Sequence, residues 1–272
     1  MHSKTQSTPV PTPSTQSTPE STIATPPPLD LLTIKTNKSS YKLGEDVNVE
    51  FTFQNKFEKT IDITFPPKLK IIHWVTENVV YTFPQGNKRI KLKPGEKISY
   101  VFKWNQRDEN EMQVNPGIYY VDVEVVRDDG AKYYNTSNKI LIQYPQGAME
   151  KTIEPNQSKT AKGVTVILKK VELTHSEVRV YVLAKIPSST PKPSKIPLPE
   201  PTPPDELWPP LAHYQVNNDF QKSKVIGIRT SKEGYLFTWV LDPIPSDAKE
   251  MTFVVDKFGK WEGPWRFQIS LT

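Results

Sequence analysis

"LLTIKTNKSSYKLGEDVNVEFTFQN", residues 31–55, contains two short segments in which apolar and polar residues alternate. In the second, Val47, Val49, Phe51 and Phe53 fall on one side, and Asn48, Glu50, Thr52 and Gln54 on the other. Successive side chains of an extended chain point to opposite faces, so a period of two marks a half-buried strand. Strands are therefore predicted at Leu31–Thr36 and Val47–Gln54. Between them "YKLGED" places Gly44 where the chain has to reverse. The device recurs in "LKPGEKISY", residues 92–100, and in "NPGIYYVDVEV", residues 115–125. Glycine permits turn conformations that strain other residues. These glycines do not form a phosphate loop, which needs several of them at fixed spacing leading into a helix.

The same alternation continues through "TIDITF", "KIIHWV", "VVYTF", "RIKL", "KISYVFKW", "GIYYVDVEVV", "AKYYNTS" and "KILIQY". "RDDGAK" predicts a hairpin with a type I′ turn at Asp129-Gly130. No segment has a helical period. About ten short strands with a turn every 8 to 12 residues read as an antiparallel β-sandwich over residues 30–145. Residues 146–162 read as a linker carrying a first short strand. A second β-sandwich domain is expected over residues 150–272, from "GVTVILKKVELTHSEVRVYVLAKI", "SKVIGIRTSKEGYLFTWVLDPI" and "AKEMTFVVDKFGKWEGPWRFQISLT". A Pro-rich insertion, residues 187–210, interrupts it and holds ten of the chain's 27 prolines. So long a stretch without regular structure points to function or disorder. The fold class is thus all-β: two immunoglobulin-like antiparallel sandwiches behind a Pro/Thr/Ser-rich segment.

That segment, residues 1–29, has too little apolar content to offset its ordering entropy. It is expected to be an extended, disordered stalk reaching on the order of 90 Å. "MHSKTQSTPV" lacks the apolar core of a secretory signal, and no apolar run approaches the roughly 18 residues of a membrane span. An anchor upstream is expected, tethering the protein outside the cytoplasm through its N-terminal side.

Composition narrows the chemistry. The chain has no cysteine, which excludes disulfides, thiolate metal sites and thiol nucleophiles. His2, His73, His175 and His213 are scattered without i+3 or i+4 partners, so no metal site and no cofactor are expected. There is no G-x-S-x-G elbow. The acidic stretch "RDENE" misses the spacing of a calcium loop. An enzyme is the least supported class. The formal charge is +5, and its densest basic run is "NKRIKLKPGEK", residues 87–97. That run reads as a solvated strand face, or as a stripe for an anionic polymer. Nucleic acid is not an expected partner.

Two places are candidates for partner binding. The loop "NQRDENEMQVN", residues 105–115, offers Asp108, Glu111 and Met112. The second half of the Pro-rich insertion offers Leu207, Trp208 and Tyr214, too apolar for a tether. Trp208 is expected to fold back over an apolar edge of the second sandwich, or else to meet a partner. The other tryptophans near strands, Trp74, Trp104, Trp239, Trp261 and Trp265, are expected in cores or across sheet ends.

Residues 31–144 resemble the BsuPI-like family, named for a bacterial intracellular proteinase inhibitor. The resemblance rests on Y-x-x-G-E at Tyr41–Glu45, "FTFQN" ending at Asn55, "DITFPP" at Asp62–Pro67, L-x-P-G-E at Leu92–Glu96, Y-x-F-x-W at Tyr100–Trp104 and P-G-I-Y at Pro116–Tyr119. It implies an immunoglobulin-like sandwich and a protease as a possible partner. Residues 150–272 are similar to the C-terminal β-domain of Gram-positive anti-sigma-like and surface proteins. The leading expectation is a non-enzymatic bacterial surface protein, an adhesion, scaffold or envelope-recognition module on a stalk. A proteinase inhibitor acting through a loop of the first domain is the alternative, and a binder of carbohydrate or cell-wall polymer the third reading. Its partners would be a protein or a cell-envelope polymer.

Overall fold

The computed structural model describes residues 31–186, 207–217 and 219–272. The expected stalk and most of the Pro-rich insertion lie outside these residues. Among the described residues there is no α-helix. The first sandwich contains β1 (Leu32–Thr36), β2 (Ser40–Lys42), β3 (Val47–Gln54), β4 (Ile61–Phe65), β5 (Lys68–His73), β6 (Val79–Phe83), β7 (Lys88–Leu92), β8 (Lys97–Trp104), β9 (Gly117–Val126), β10 (Lys132–Thr136) and β11 (Ile140–Gln143). One sheet runs β1-β3-β8 and the facing sheet β2-β11-β9-β5-β6, with β10 also paired to β9. Strands β4 and β7 form a separate two-stranded ribbon. All pairings are antiparallel except β2 with β11, where Ser40 lies opposite Leu141 and Lys42 opposite Gln143.

The alternation of residues 47–54 decides this layer. Val47, Val49, Phe51 and Phe53 are completely buried and meet Val121, Val123 and Val125 of the facing sheet in one core. Each such side chain contributes about 1.5–3 kcal/mol on burial.

The second sandwich contains β12 (Lys151–Ile153), β13 (Gln157–Ala161), β14 (Val164–Leu173), β15 (Val178–Lys185), β16 (Pro210–Val216), β17 (Asp219–Lys222), β18 (Lys224–Ser231), β19 (Gly234–Leu241), β20 (Glu250–Phe258) and β21 (Trp261–Ser270). One sheet runs β12-β14-β15-β19-β18, with β13 also on β14, and the other β17-β16-β20-β21. Its core is aromatic. The Phe237 and Trp239 rings stack at 5.3 Å, and the buried Trp265 satisfies its indole N–H on the Val164 carbonyl at 3.2 Å. The two cores share no residue.

The repeated glycine device is now explicit. Gly44 and Gly95 both take φ of +81°, in turns closed by Glu45 N–H on the Lys42 carbonyl and Glu96 N–H on the Lys93 carbonyl, each 3.0 Å. In both turns the glutamate carboxylate reaches back to accept the backbone N–H of the first turn residue, Lys42 at 3.0 Å and Lys93 at 2.7 Å. Each is fastened by a buried amide: Asn55 serves the second, donating to the Leu92 carbonyl at 2.8 Å, and Gln106 the first. Gly117 of the third motif is not in such a turn. It is a point of close approach, as shown below.

Two expectations need correction. In the hairpin after β9 only Gly130 has positive φ, so the type I′ turn is not formed. Gly130 N–H closes on the Arg127 carbonyl at 3.0 Å and Arg127 N–H on the Ala131 carbonyl at 2.9 Å, which leaves the aspartates in the ordinary negative-φ region. In the insertion, Leu207 is fully buried in the second core while Trp208 is 60% exposed. The chain turns one of two neighbours inward, and Leu207 enters without bringing an indole N–H that needs a partner.

Candidate recognition site

The loop of residues 105–115 follows β8 and is shaped by its own backbone. Arg107 and Gln113 form an antiparallel bridge. Beyond it Asp108 N–H donates to the Met112 carbonyl at 2.9 Å, and Glu111 N–H to the Asp108 carbonyl at 3.1 Å. Asp108 Oδ1 accepts the N–H groups of Asn110 and Met112, both at 2.9 Å. Arg107 Nη1 donates to the Glu111 carbonyl at 2.5 Å. Glu111 takes φ of +61° at the tip, a conformation the surrounding bonds impose.

The base is held from the core side. Gln106 is completely buried. Its Oε1 accepts Gly44 N–H at 2.8 Å, and its Nε2 donates to the carbonyls of Lys42 at 2.8 Å and Glu45 at 2.6 Å. The Trp104 indole N–H donates to the Arg107 carbonyl at 2.9 Å. The loop is thereby bolted to the "YKLGED" turn. Sequence reasoning singled out Asp108, Glu111 and Met112 but missed Gln106, whose type is common in exposed loops. Of the three, Asp108 is a turn clamp, whereas Glu111 and Met112 are exposed, Met112 by 65%.

The other three candidates separate. Leu207 and Tyr214 belong to the second core, so a partner does not reach them. Tyr214 Oη donates to Gln221 Oε1 at 2.5 Å. Only Trp208 is open to solvent.

Beside the loop lies a cleft of about 380 Å³ between the sandwiches, lined by Asp108, Gln113 and Asn115 on one side and by Phe220 and Lys222 on the other. His73, at the end of β5, and Asp242, just past β19, meet there. His73 Nδ1 lies 3.0 Å from Thr76 Oγ1 and 3.2 Å from the Thr76 backbone nitrogen, and Nε2 lies 3.1 Å from Asp242 Oδ2. Asp242 Oδ1 accepts Ile118 N–H at 3.3 Å. Gly117 makes room for this: a Cβ there would sit 2.9 Å from Asp242 Oδ1 and 3.2 Å from His73 Nε2. Both ring nitrogens thus face neighbours within the junction.

The junction is reinforced at Trp74, where Lys139 Nζ and Lys224 Nζ lie 4.3 and 4.0 Å from the ring centroid. Lys224 Nζ also donates to Glu77 Oε1 at 2.6 Å, and Lys139 reaches Glu177 of the second sandwich at 3.4 Å. Burial, with Asp242, Asp219 and Asp247 nearby, pushes the Tyr144 phenol up to about 12. Tyr119 and Tyr214 are raised by the same two causes, burial first and the Asp242 charge second. Among the described residues, no group of three or more His, Asp or Glu could hold a metal ion.

The strand order β1-β3-β8 over β2-β11-β9-β5-β6, together with the two glutamate-closed turns, is the pattern that decides the first sandwich. Residues 34–130 match the BsuPI family, described as intracellular proteinase inhibitor. The loop of residues 105–115 lies within the matched BsuPI stretch, whereas the second sandwich and residues 1–33 lie outside it. No curated protein matches the chain. Among solved structures, the Pseudomonas fluorescens alkylpurine DNA glycosylase AlkC bound to abasic-site DNA is 17% identical, with a TM-score of 0.32, over 42% of this chain and 31% of that one. The chain thus spans about a third of that structure. The Bacillus subtilis sporulation control protein Spo0M is 11% identical over 88% of this chain and 89% of its own, with a TM-score of 0.34. A conserved domain protein from Bacillus anthracis is 7% identical over 89% and 88%, with a TM-score of 0.35. These overlaps do not bear on function.

Proposed function

We propose that the protein is a non-catalytic recognition module that binds a protein partner through the loop of residues 105–115. The observation that carries this reading is Gln106, which fixes the loop base while Glu111 and Met112 stay exposed. A loop already held in one conformation loses little entropy on binding and so keeps more of its contact energy. The BsuPI match supports a proteinase as the partner class. The test is titration of a subtilisin-type serine proteinase with the full chain, following residual activity. Saturable loss of activity that Met112→Arg weakens supports the reading. Full activity at excess protein, or rapid cleavage at the loop, sinks the proteinase assignment.

A second reading concerns location. The Pro/Thr/Ser composition of residues 1–29 supports a stalk that holds the sandwiches away from an envelope anchor, as an adhesion or scaffold module. Protease treatment of intact cells distinguishes it: release of the sandwiches supports a surface position, and retention in the cytosolic fraction opposes it. For the carbohydrate reading, Trp208 is the exposed indole among the described residues, because Trp104, Trp239 and Trp265 are buried, Trp261 is partly buried against the second core under Lys260, and Trp74 is taken by two lysines.

A further inference from the structure

The β4–β7 ribbon carries a charge arrangement that the loop reading does not use. Residues 87–97 hold five cations against one carboxylate, within a chain whose whole formal excess is +5. Ile90 and Leu92 turn toward the first core, Leu92 fully buried, opposite Ile63 and Ile61 of β4. The alternate face therefore presents Arg89 and Lys91, and Lys93 follows in the turn just past the strand end, all three exposed. Among the described residues their side chains make no ion pair, although Lys91 has Asp62 opposite it in the ladder and Lys93 has Glu96 bonded to its backbone N–H.

Some sheet-face cations elsewhere are neutralised by a carboxylate beside them. Lys132 pairs with Glu124 at 2.7 Å and Lys170 with Glu172 at 2.5 Å. Lys103 pairs with Asp46 at 2.7 Å. Three exposed cations in one row repel one another weakly in water, and an anion from outside would relieve that repulsion. Arg89 and Lys91 are also fixed in spacing, because alternate residues on a strand lie about 6.6–6.8 Å apart, and the turn anchors Lys93 next to them. The buried side of β7 keeps the strand from re-registering.

We infer that the exposed face of β7 is a docking strip for a linear phosphodiester polymer whose backbone phosphates repeat at about that interval. Arg89 can hold one phosphate through two parallel N–H donors, while Lys91 and Lys93 act as point charges on the next two. The strip reads backbone only. The neighbouring rings, Phe65 and Tyr100, pack edge to face with centroids 5.7 Å apart, and Phe65 lies on the core-side register with Lys88. Without an aromatic platform on the cationic face there is nothing for a nucleobase to stack on, so a base-free polyol phosphate fits better than a nucleic acid.

The experiment measures binding of the full chain to a labelled poly(glycerol phosphate) across a salt series, with an oligothymidylate of equal charge alongside. Three phosphate contacts predict a slope of about −2 in log K against log salt, so a fourfold rise in salt weakens binding roughly fifteenfold. Combining R89Q, K91Q and K93Q should flatten that slope and abolish saturable binding at low salt. Combining K159Q, K232Q and K249Q removes the same charge from exposed positions of the second sandwich and should change neither. R89K alone should weaken binding less than R89Q and keep most of the slope. Equal losses in the two triple variants would show only net charge and overturn the proposal. So would tighter binding of the oligothymidylate, or a poly(glycerol phosphate) affinity indifferent to salt. None of these results depends on whether the 105–115 loop inhibits a proteinase.

Discussion

His73 Nε2 lies 3.1 Å from Asp242 Oδ2, and the two residues stand on different sandwiches. Asp242 is 4% exposed, so its carboxylate depends on His73 and the Ile118 N–H rather than on water. Asp242→Ala leaves both donors without their acceptor. A hydrogen bond to a charged group contributes about 1.5–3 kcal/mol, and a loss in that range is expected in equilibrium urea unfolding. The variant should also increase the radius of gyration in solution scattering, since the pair spans the junction.

Gly117→Ala tests the same place from the other side. The added Cβ would press on Asp242 Oδ1 at 2.9 Å and His73 Nε2 at 3.2 Å. Overpacking of this kind costs about 1–3 kcal/mol. If Gly117→Ala melts like the parent, the junction is more yielding than its geometry implies.

Gln106→Ala should cost about 2–4 kcal/mol, because it takes the side-chain partner from the Gly44 N–H and the Glu45 carbonyl inside the first sandwich and leaves the Lys42 carbonyl with only the Glu45 N–H. The second readout is limited proteolysis: cleavage within residues 105–115 should rise in Gln106→Ala and not in Met112→Ala. A loop that remains resistant without Gln106 would show that its own internal bonds suffice.

Alkaline pH should weaken the junction through Tyr144. Its phenol is protonated in both folded and unfolded chains below about pH 10, and there its contribution to stability is complete. Between pH 10 and the folded value of about 12 the unfolded chain releases the proton first, so stability falls as pH rises through that window. Tyr144→Phe should flatten this dependence, measured by urea midpoints at stepped pH.

Leu207→Ala should lower the stability of the second sandwich by about 2–4 kcal/mol, as for other fully buried leucines. Trp208→Ala should stay within about 0.5 kcal/mol of the parent. Quenching of Trp208 emission by acrylamide should reach most of its signal, which is checked by the difference spectrum between parent and Trp208→Ala.

Period-two alternation makes β3, β9 and β14 legible in the sequence, because an apolar face on a strand has only one way to be buried. The glycine turns were equally legible as turns. What closes them was not. Asn55 and Gln106 act across 37 and more than 60 positions of sequence, and an amide at either place reads locally as a polar loop residue. The junction was invisible for the same reason: His73, Gly117 and Asp242 come from three separated segments that only the packing of two sandwiches brings together. For Leu207 and Trp208 the segment was legible but not its facing, since Pro-rich backbone has no period from which to tell inside from outside.

The parallel pairing of β2 with β11 gives the first sandwich a mechanical property. Once β1 has let go of β3, tension reaching Ser40 from the N-terminal side and leaving at Gln143 toward the second sandwich draws two parallel neighbours in opposite directions along their length. The hydrogen bonds between Ser40–Lys42 and Leu141–Gln143 are then loaded together, in shear, instead of being peeled one after another. A module pulled from both ends through these strands resists extension until the whole set gives way at once.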